Sequence, residues 1–307
     1  MIRLTTLGLI ACLGFSTIHT KVLIFHYAFN RPDFIKLQYL TLKTFLEEDF
    51  DMMVFNDAKD AKNSLELEKA CNELNIACIR VPQEIHTKKP RVRGQDNSLS
   101  STRHCNVINY SLVNYGYKHD DILMIIDSDM FPVKKFSVRK YMSDCQLVGA
   151  FRAMNKGHLR YVWPGLTFMD LSSLPEVESL TFDSGFIGDH KADTGGSSYN
   201  YLKSHPNISV QEISCMHVTN CFMCDSCSNS GKTTCAHRDS LKYLYALDHH
   251  EWQLIDSFSH NFEFYLERTF LHYKAGTNWN GRSDSYHQQK FAAALTFINA
   301  RIKSVSK

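Results

Sequence analysis

The chain has 307 residues and a mass of 35.3 kDa, which is long enough to bury a substantial hydrophobic core. Hydrophobic residues form 44% of the sequence and charged residues 21%, and this balance excludes an intrinsically disordered chain. The formal net charge is +2 and no basic helix stands out, so we expect no nucleic-acid partner.

The first twenty residues are typical of an export signal. Arg3 supplies a positive charge, and the stretch from Leu4 to Ile18 is uncharged and mostly apolar, which is the pattern of a secretory signal peptide. We therefore predict a signal peptide over residues 1–20 and a protein that is secreted, or associated with a membrane or the periplasm after export. Other interpretations are a lipoprotein cleavage site at Cys12, an N-terminal membrane tether or a buried first strand. No later segment reaches 18 uninterrupted apolar residues, so we expect no later transmembrane helix.

Strand and helix patterns alternate from residue 21 to about residue 150. Short, almost continuously apolar runs predict strands at 21–25, 52–55, 77–81 and 122–126. Apolar residues at largely helical spacing predict helices between these strands, around residues 34–46, 65–74 and 99–117. Apolar strands that alternate with helices indicate an α/β fold with a mostly parallel central sheet flanked by helices. Ligands of such sheets bind at the carboxyl ends of the strands.

The second half of the chain has a less regular pattern. Strands are predicted near 147–151 and 166–169, and a closing helix over 284–304 carries apolar residues on one face. A segment rich in cysteine and histidine lies at 215–237. We interpret residues 21–300 as one domain, with 215–237 as an insertion within it.

The strongest functional signal follows the fourth predicted strand. The apolar run at 122–126 leads directly into Asp127, Ser128 and Asp129. Two carboxylates two positions apart, at a turn beyond a buried strand, can face a common point. Their oxygens suit a hard divalent cation, Mn²⁺ or Mg²⁺, that holds a diphosphate. The alternative is an acidic turn exposed to solvent.

An apolar strand that ends in Asp-x-Asp, at this depth in an α/β chain, resembles the metal motif of the GT-A-fold glycosyltransferases. The resemblance covers roughly residues 21–290, and the strand with its two aspartates is the specific part. It implies a single GT-A-like domain in which a nucleotide-sugar binds over the first strands. It also implies that Asp129 is the principal metal ligand and that Asp127 contacts the ribose or the metal.

A second stretch, from Phe270 to Trp279, resembles the late histidine-containing segment that completes the metal site in several such transferases. The resemblance makes His272 the third ligand, and a neutral imidazole is a good partner for Mn²⁺. Lys274 would neutralise charge on the diphosphate, and the small residues Ala275 and Gly276 would let backbone N–H groups approach a phosphate. The alternative is a buried structural histidine beside an ordinary turn.

The nucleotide pocket is predicted from position in the chain. The resemblance places base and ribose contacts on residues that follow the first two strands, namely His26, Tyr27, Arg31, Asn56 and Asp57. Arg103 lies one turn into the third predicted helix, from which it can reach a phosphate or a sugar. Arg91 and Arg93 precede the same helix. A solvated basic loop is the alternative for these arginines.

Two aspartates are candidates for the catalytic base. An inverting transfer needs a carboxylate to deprotonate the acceptor hydroxyl, and the resemblance locates it in the segment that contains Asp183 and Asp193. We favour Asp193, because the glycines that follow Thr194 allow a close approach of the substrate; a turn-capping aspartate is the alternative. On the acceptor side, Trp163 is either a ring on which a sugar stacks or a core residue.

The cysteines allow two interpretations. Ten are present and nine would remain without Cys12, so at least one is free, intermolecular or metal-bound. The ligand types and spacing of a structural Zn²⁺ site are found in Cys221, Cys224, Cys235 and His237. Disulfides that include Cys215 or Cys227 are the alternative, because exported proteins often carry disulfides.

These observations together predict a metal-dependent glycosyltransferase. It would move a hexosyl group from a nucleoside diphosphate sugar to an unknown glycan, lipid or protein acceptor. One alternative is an exported, non-catalytic carbohydrate- or zinc-binding protein on the same fold. Another is a sugar nucleotidyltransferase, but that class usually has a glycine-rich loop after the first strand, and the segment from His26 to Pro32 contains no glycine.

Overall fold

The computed structural model describes residues 21–154, 157–216, 246–258, 261–276 and 283–305. The predicted signal peptide lies outside these ranges, as do four candidate zinc ligands, Cys221, Cys224, Cys235 and His237. Among the described residues, no helix combines the length and the apolar character that are needed to span a membrane.

The first half of the chain alternates strands and helices as its apolar pattern predicts. The strands are β1 Val22–Ala28, β2 Phe50–Asn56, β3 Ala77–Arg80 and β4 Ile122–Ile126, and the helices are α1 Pro32–Phe45, α2 Ala61–Leu74 and α3 Ser100–Asn114. Local signals set the helix ends. Proline occupies the first position of α1, where its missing N–H has no helical partner to lose. The Asp60 side chain accepts the N–H of Asn63 at the start of α2, and Asn75 ends that helix in a left-handed conformation.

The remaining elements are shorter. The strands are β5 Met130–Pro132, β6 Leu147–Met154, β7 Leu159–Asp170, β8 Gly185–Ile187, β9 His190–Ala192, β10 Val210–Glu212, β11 Cys215–Met216, β12 Glu263–Tyr265 and β13 Phe270–His272. The helices are α4 Val138–Tyr141, α5 Ser198–Ser204, α6 His249–Ser257 and α7 Asp284–Val305. Single 3₁₀ turns occur at Gln83–His86, Gly116–Lys118 and Val177–Ser179.

The central sheet has seven strands in the order β10-β6-β7-β4-β1-β2-β3. The strands β4, β1, β2 and β3 are parallel neighbours, and β10 is parallel to β6, whereas β7 runs antiparallel to both β4 and β6. The predicted α/β class, with a mostly parallel central sheet flanked by helices, is therefore confirmed. The carboxyl ends of β1, β2 and β4 meet at one edge of this sheet.

Side chains on the two faces of the central sheet form two separate hydrophobic clusters. Along β1 and β4, Ile24 and Met124 point into the cluster covered by α1 and α2, whereas Phe25 and Ile125 point into the cluster beneath α3. This alternation follows from the two-residue period of a strand. All five residues of β4 are buried, so the end of this strand is held in a fixed position.

A second, antiparallel sheet has the order β11-β12-β13-β5. Its edge strand β5 begins directly after Asp129, and in the pairing of β13 with β5 His272 lies opposite Met130. A third cluster packs this sheet against α1 and α7 through large apolar residues that include Phe34, Phe131, Leu271 and Ile298. The late segment of the chain is thereby brought against the turn that follows β4.

Candidate functional site

The turn that carries Asp127 and Asp129 connects the central sheet to the antiparallel sheet. The Asp127 N–H donates to the carbonyl of Gly165 at 2.9 Å, and the Met130 N–H donates to the carbonyl of Asp127 at 3.1 Å. From α1, the amide of Gln38 donates to the carbonyls of Asp127 and Met130, both at 2.8 Å. These bonds fix both aspartates at the carboxyl edge of the parallel strands, where such sheets bind ligands.

The structure brings the three predicted metal ligands together. One ligand atom from each of Asp127, Asp129 and His272 lies within 4.8 Å of the others. Two carboxylates and an imidazole form a donor set that Mn²⁺ accepts well. In addition, Oδ1 of Asp127 is buried without a hydrogen-bond partner among the described residues, although Nε2 of His104 lies 3.3 Å from it. Buried polar atoms are rarely left unsatisfied, so this oxygen fits the role of a metal ligand.

Charges in this cluster are strongly coupled. Nε2 of His272 lies 3.4 Å from Oδ1 of Asp129, and its Nδ1 lies 3.0 Å from Oε2 of Glu263. Burial opposes the protonated imidazole, but the two carboxylates outweigh it and raise the pKa of His272 to about 9. Burial also opposes the charged form of Asp129, but His272 and the Gly276 N–H lower its pKa to about 2. Burial raises the pKa of Asp127. A divalent cation bound here would balance the negative charge of the same carboxylates that the protonated imidazole balances.

The segment that follows His272 has a backbone shape that Gly276 makes possible. Lys274 and Ala275 have left-handed φ values of 41° and 54°. The Gly276 N–H donates to Oδ2 of Asp129 at 2.9 Å, and a Cβ at this glycine would lie 2.4 Å from the Phe34 ring. We predicted that this N–H approaches a phosphate, whereas in the structure it holds a candidate metal ligand.

Two cations hold the same segment from behind. Arg31 donates to the carbonyl of Gly276 at 3.0 Å and stacks 3.8 Å from the centre of the Phe34 ring. From α7, the buried Lys290 donates to the carbonyls of Tyr273 and Lys274, and burial lowers its pKa to about 7. The structure therefore gives Arg31, a predicted nucleotide contact, a supporting position.

Lys274, the predicted diphosphate contact, forms an ion pair within the protein. Its ammonium group lies 2.7 Å from Oε1 of Glu263. The lining of the neighbouring cavity includes Ala275 and Gly276 but, among the described residues, not Lys274.

A cavity of about 570 Å³ extends from the Asp127–Asp129–His272 cluster to the end of β2. Its far end is lined by Phe29, Asp57, Lys59 and Arg103. Arg103 and Asp57 form a two-point ion pair, with Nη2–Oδ1 and Nε–Oδ2 distances of 2.8 and 2.7 Å. His86 lies 2.8 Å from the same carboxylate. Asp57 and Arg103, both predicted nucleotide contacts, thus line the cavity, but their charged groups are already paired with each other.

Other predicted nucleotide contacts divide into lining and structural residues. Tyr27 lines the cavity, and its hydroxyl lies 3.0 Å from the Ser111 hydroxyl. His26 is buried with Nδ1 2.6 Å from Gln38, and burial lowers its pKa to about 4. Asn56 is buried and its amide donates to Ser64. The last two side chains are parts of the core.

Asp183 and Asp193 occupy different environments. Asp183 is buried, and its carboxylate accepts hydrogen bonds from Arg91 at 2.6 Å and from Asn109 at 3.0 Å. Asp193 is exposed and lines the cavity, and it stays the candidate base. The glycines after Thr194 have a packing role, because a Cβ at Gly195 would lie 2.0 Å from the carbonyl oxygen of Val162.

The ring of Trp163 is packed against neighbours. Its exposed fraction is 9%, the Tyr265 ring stacks on it at 5.7 Å, and the Arg152 guanidinium lies 5.1 Å from its centroid. Trp163 is among the residues that line the cavity, but most of its ring is buried among core neighbours. The exposed Arg93 donates to the carbonyl of Gly188 and is a loop residue.

Three residues of the site were missed by sequence analysis. His104 on α3 lies beside Asp127, the exposed Arg152 on β6 lines the cavity, and the buried Glu263 on β12 contacts His272. His104 adjoins Arg103 in the sequence, so it could have been considered with it. Arg152 and Glu263 have no local signal, because strand pairing brings them to the site.

No protein-family model matches the chain, and no curated protein matches it in sequence. Among solved structures, it is similar to a mannosyltransferase from Pyrobaculum calidifontis in complex with GDP-Man and Mn²⁺, with 13% identity and a TM-score of 0.40 over 64% of this chain and 55% of that one. It is also similar to glucosyl-3-phosphoglycerate synthase from Mycobacterium tuberculosis in complex with Mn²⁺, UDP and glucosyl-3-phosphoglycerate, with 13% identity and a TM-score of 0.37 over 62% and 68%. The galactosyltransferase LgtC gives 15% identity and a TM-score of 0.34 over 49% and 58%. The chain thus spans about half the length of the first of these proteins.

Proposed function

We propose that the chain is a metal-dependent glycosyltransferase of the GT-A type, which transfers a hexosyl group from a nucleoside diphosphate sugar to an acceptor hydroxyl. One observation carries this proposal: ligand atoms of Asp127, Asp129 and His272 lie within 4.8 Å of one another at one end of a cavity. These three residues come from two distant parts of the sequence and adjoin the carboxyl edge of a parallel sheet.

Asp127, Asp129 and His272 would hold the cation. The imidazole favours Mn²⁺ over Mg²⁺, which prefers oxygen ligands. When bound, the cation would act as a Lewis acid and stabilise charge on the diphosphate leaving group. The chain itself fixes the three side chains through the β4–β5 turn, the β5–β13 pairing and the Gly276 N–H.

The donor would lie along the cavity. Its volume of about 570 Å³ is within the range of pockets that enclose small ligands. With the diphosphate next to the cluster of ligands, the nucleoside would reach Phe29 and the Asp57–Arg103 pair beyond β2. The exposed guanidinium of Arg152 would help to stabilise the departing diphosphate, since it lines the cavity beside Trp163.

The acceptor would occupy an adjoining space. A cavity of about 320 Å³ is lined by residues that include His104, Trp163 and Asp193, and it shares these residues with the donor cavity. Asp193 is the exposed carboxylate at this junction. We propose it as the general base that removes the proton of a glycan, lipid or protein hydroxyl in an inverting transfer.

Two further parts of the proposal come from the sequence alone. Residues 1–20 would direct export, so the enzyme would act outside the cytoplasm. The segment 215–237 would be stiffened by a structural Zn²⁺ or by disulfides, apart from the catalytic cation, because soft thiolates and a diphosphate-bound Mn²⁺ require different sites.

The experiment is a binding and turnover screen with UDP- and GDP-sugars in Mn²⁺ or EDTA. We expect Mn²⁺ to be required for tight nucleotide binding and for release of the nucleoside diphosphate, by transfer or by slow hydrolysis. Asp129→Asn should abolish both at an unchanged fold, whereas Asp51→Asn, at an exposed carboxylate on β2, should not. Equal nucleotide affinity in EDTA would refute the metal role. Nucleotide-sugar binding without any turnover would favour a non-catalytic binding protein, and consumption of pyrophosphate would favour a nucleotidyltransferase.

A further inference from the structure

Glu263 is a buried carboxylate that adjoins the candidate metal site without facing the cavity. It lies on β12, and the pairing of β12 with β13 places it directly opposite His272. Only 3% of its surface is exposed. A charged side chain with this burial is stable only when it is fully paired.

Both oxygens of Glu263 have strong donors. Oε1 accepts from the ammonium group of Lys274 at 2.7 Å. Oε2 lies 3.0 Å from Nδ1 of His272 and also accepts from the Tyr265 hydroxyl at 3.2 Å. Because an ionised carboxylate only accepts hydrogen bonds, Nδ1 of His272 must carry the hydrogen in this contact.

The same contact determines what the other ring nitrogen does. Nε2 of His272 faces Oδ1 of Asp129 at 3.4 Å, on the side of the ligand cluster. Aromatic neighbours restrict rotation of the imidazole, since the ring centres of Trp163 and Tyr265 lie 5.6 and 5.9 Å from its own. The ring therefore presents Nε2 to the site.

We propose that Glu263 is a positioning residue for the metal site: it holds Nδ1–H of His272 and so delivers Nε2 as the metal-binding nitrogen. Lys274 binds the other oxygen of Glu263, so it supports the metal site indirectly, through this carboxylate. Histidines that bind metals commonly donate their second nitrogen to a carboxylate, and loss of that partner typically lowers metal affinity 10- to 100-fold. This proposal rests on the metal site of the proposed function.

The test measures binding of Mn²⁺ alone to the full chain, by calorimetric titration and by pulsed electron paramagnetic resonance of the bound ion. The wild type should show a ¹⁴N coupling from a bound imidazole, and His272→Ala should lose it. Glu263→Ala should lower Mn²⁺ affinity 10- to 100-fold and weaken the ¹⁴N coupling. Glu263→Gln should recover part of the affinity, because its amide oxygen can still accept the Nδ1 hydrogen. Asp51→Asn, at the exposed carboxylate on β2, should bind Mn²⁺ within about twofold of the wild type.

The outcomes separate this proposal from the one on which it rests. Absence of Mn²⁺ binding by the wild type would refute the metal site itself. If His272→Ala loses affinity while both Glu263 variants bind like the wild type, the metal site stands and the positioning role is wrong. The role is also wrong if the Glu263 variants weaken binding but leave the ¹⁴N coupling unchanged, because the effect would then not pass through His272. Circular dichroism and melting in EDTA identify a variant that has lost its fold, and Glu263→Gln, which keeps the size of the side chain, then decides the matter.

Discussion

The backbone N–H of Gly276 lies 2.9 Å from Oδ2 of Asp129, although 147 residues separate the two in the chain. This hydrogen bond ties the late histidine segment to the Asp-x-Asp turn. It supports the charged form of Asp129, whose pKa is lowered to about 2. The glycine is therefore part of the candidate metal site, although it has no side chain to offer.

Gly276→Ala should damage both the fold and the site. The added Cβ would lie 2.4 Å from the Phe34 ring and 2.7 Å from Cβ of Asp129, and overpacking of this kind lowers the free energy of unfolding by about 1–3 kcal/mol. We expect Mn²⁺ affinity to fall at least roughly tenfold, because Asp129 must move. Urea unfolding and Mn²⁺ titration measure the two effects. Gly188→Ala is the control, because nothing lies near the added Cβ. Its φ of 59° should lower the free energy of unfolding by about 1–2 kcal/mol, while Mn²⁺ binding stays normal. Normal Mn²⁺ binding by Gly276→Ala would contradict the prediction.

Asp193→Asn and Asp183→Asn should affect different properties: the first should lower turnover, and the second should lower stability. Loss of a general base lowers turnover by about 10²- to 10⁴-fold, so Asp193→Asn should reduce kcat strongly while donor binding and melting temperature stay close to the wild type. Asp183 is buried among Arg91 and Asn109, so Asp183→Asn should lower the free energy of unfolding by about 1–3 kcal/mol. Steady-state kinetics and thermal unfolding of both variants check this. Full turnover by Asp193→Asn would remove it as the base.

His26 should make the fold sensitive to acid. Burial lowers its pKa to about 4 from the ordinary value of 6.5, so the unfolded chain takes up a proton first as the pH falls. The stability that neutral His26 provides is complete above pH 6.5 and is lost as the pH falls through 6.5 towards 4, with a slope of up to about 1.4 kcal/mol per pH unit. Free energies of unfolding across this range should fall less steeply for His26→Asn than for the wild type. The exposed His190→Asn variant should follow the wild-type curve; if His26→Asn follows it too, the prediction is wrong.

Intact-mass spectrometry should decide the state of the cysteines at 215–237. A structural zinc predicts that the native protein retains one zinc ion and that its ligand thiols react after denaturation. Disulfides predict instead a loss of two hydrogens for each pair of cysteines. Free thiols throughout, with no metal in the native protein, would contradict both interpretations.

The sequence predicted the central sheet well, because its strands are short apolar runs and its helices have a clear period. Asp127 and Asp129 were found for the same reason, since they follow a fully apolar strand. The direction of the strands could not be predicted from the sequence. β7 pairs antiparallel with both of its neighbours, and a buried apolar run has the same pattern in either orientation.

The inner part of the site was harder to predict. His272 was found only through a family resemblance, and Glu263 was missed, because the pairing of β12, β13 and β5 is long-range and has no sequence signal of its own. Arg31 was assigned to the nucleotide through the family resemblance, and Lys274 was assigned to the diphosphate from its charge. In the structure both are paired within the protein, since partly buried cations require acceptors.

The division of the ligands between two sheets has a consequence for how the site is assembled during synthesis. The central sheet is complete once β10, ending at Glu212, has emerged, and by then the chain has supplied Asp127 and Asp129. The third candidate ligand, His272, is added 60 residues later, with β13. A nascent or truncated chain can thus have its main scaffold before the candidate metal site is complete, and that site forms only after β13 has been synthesised.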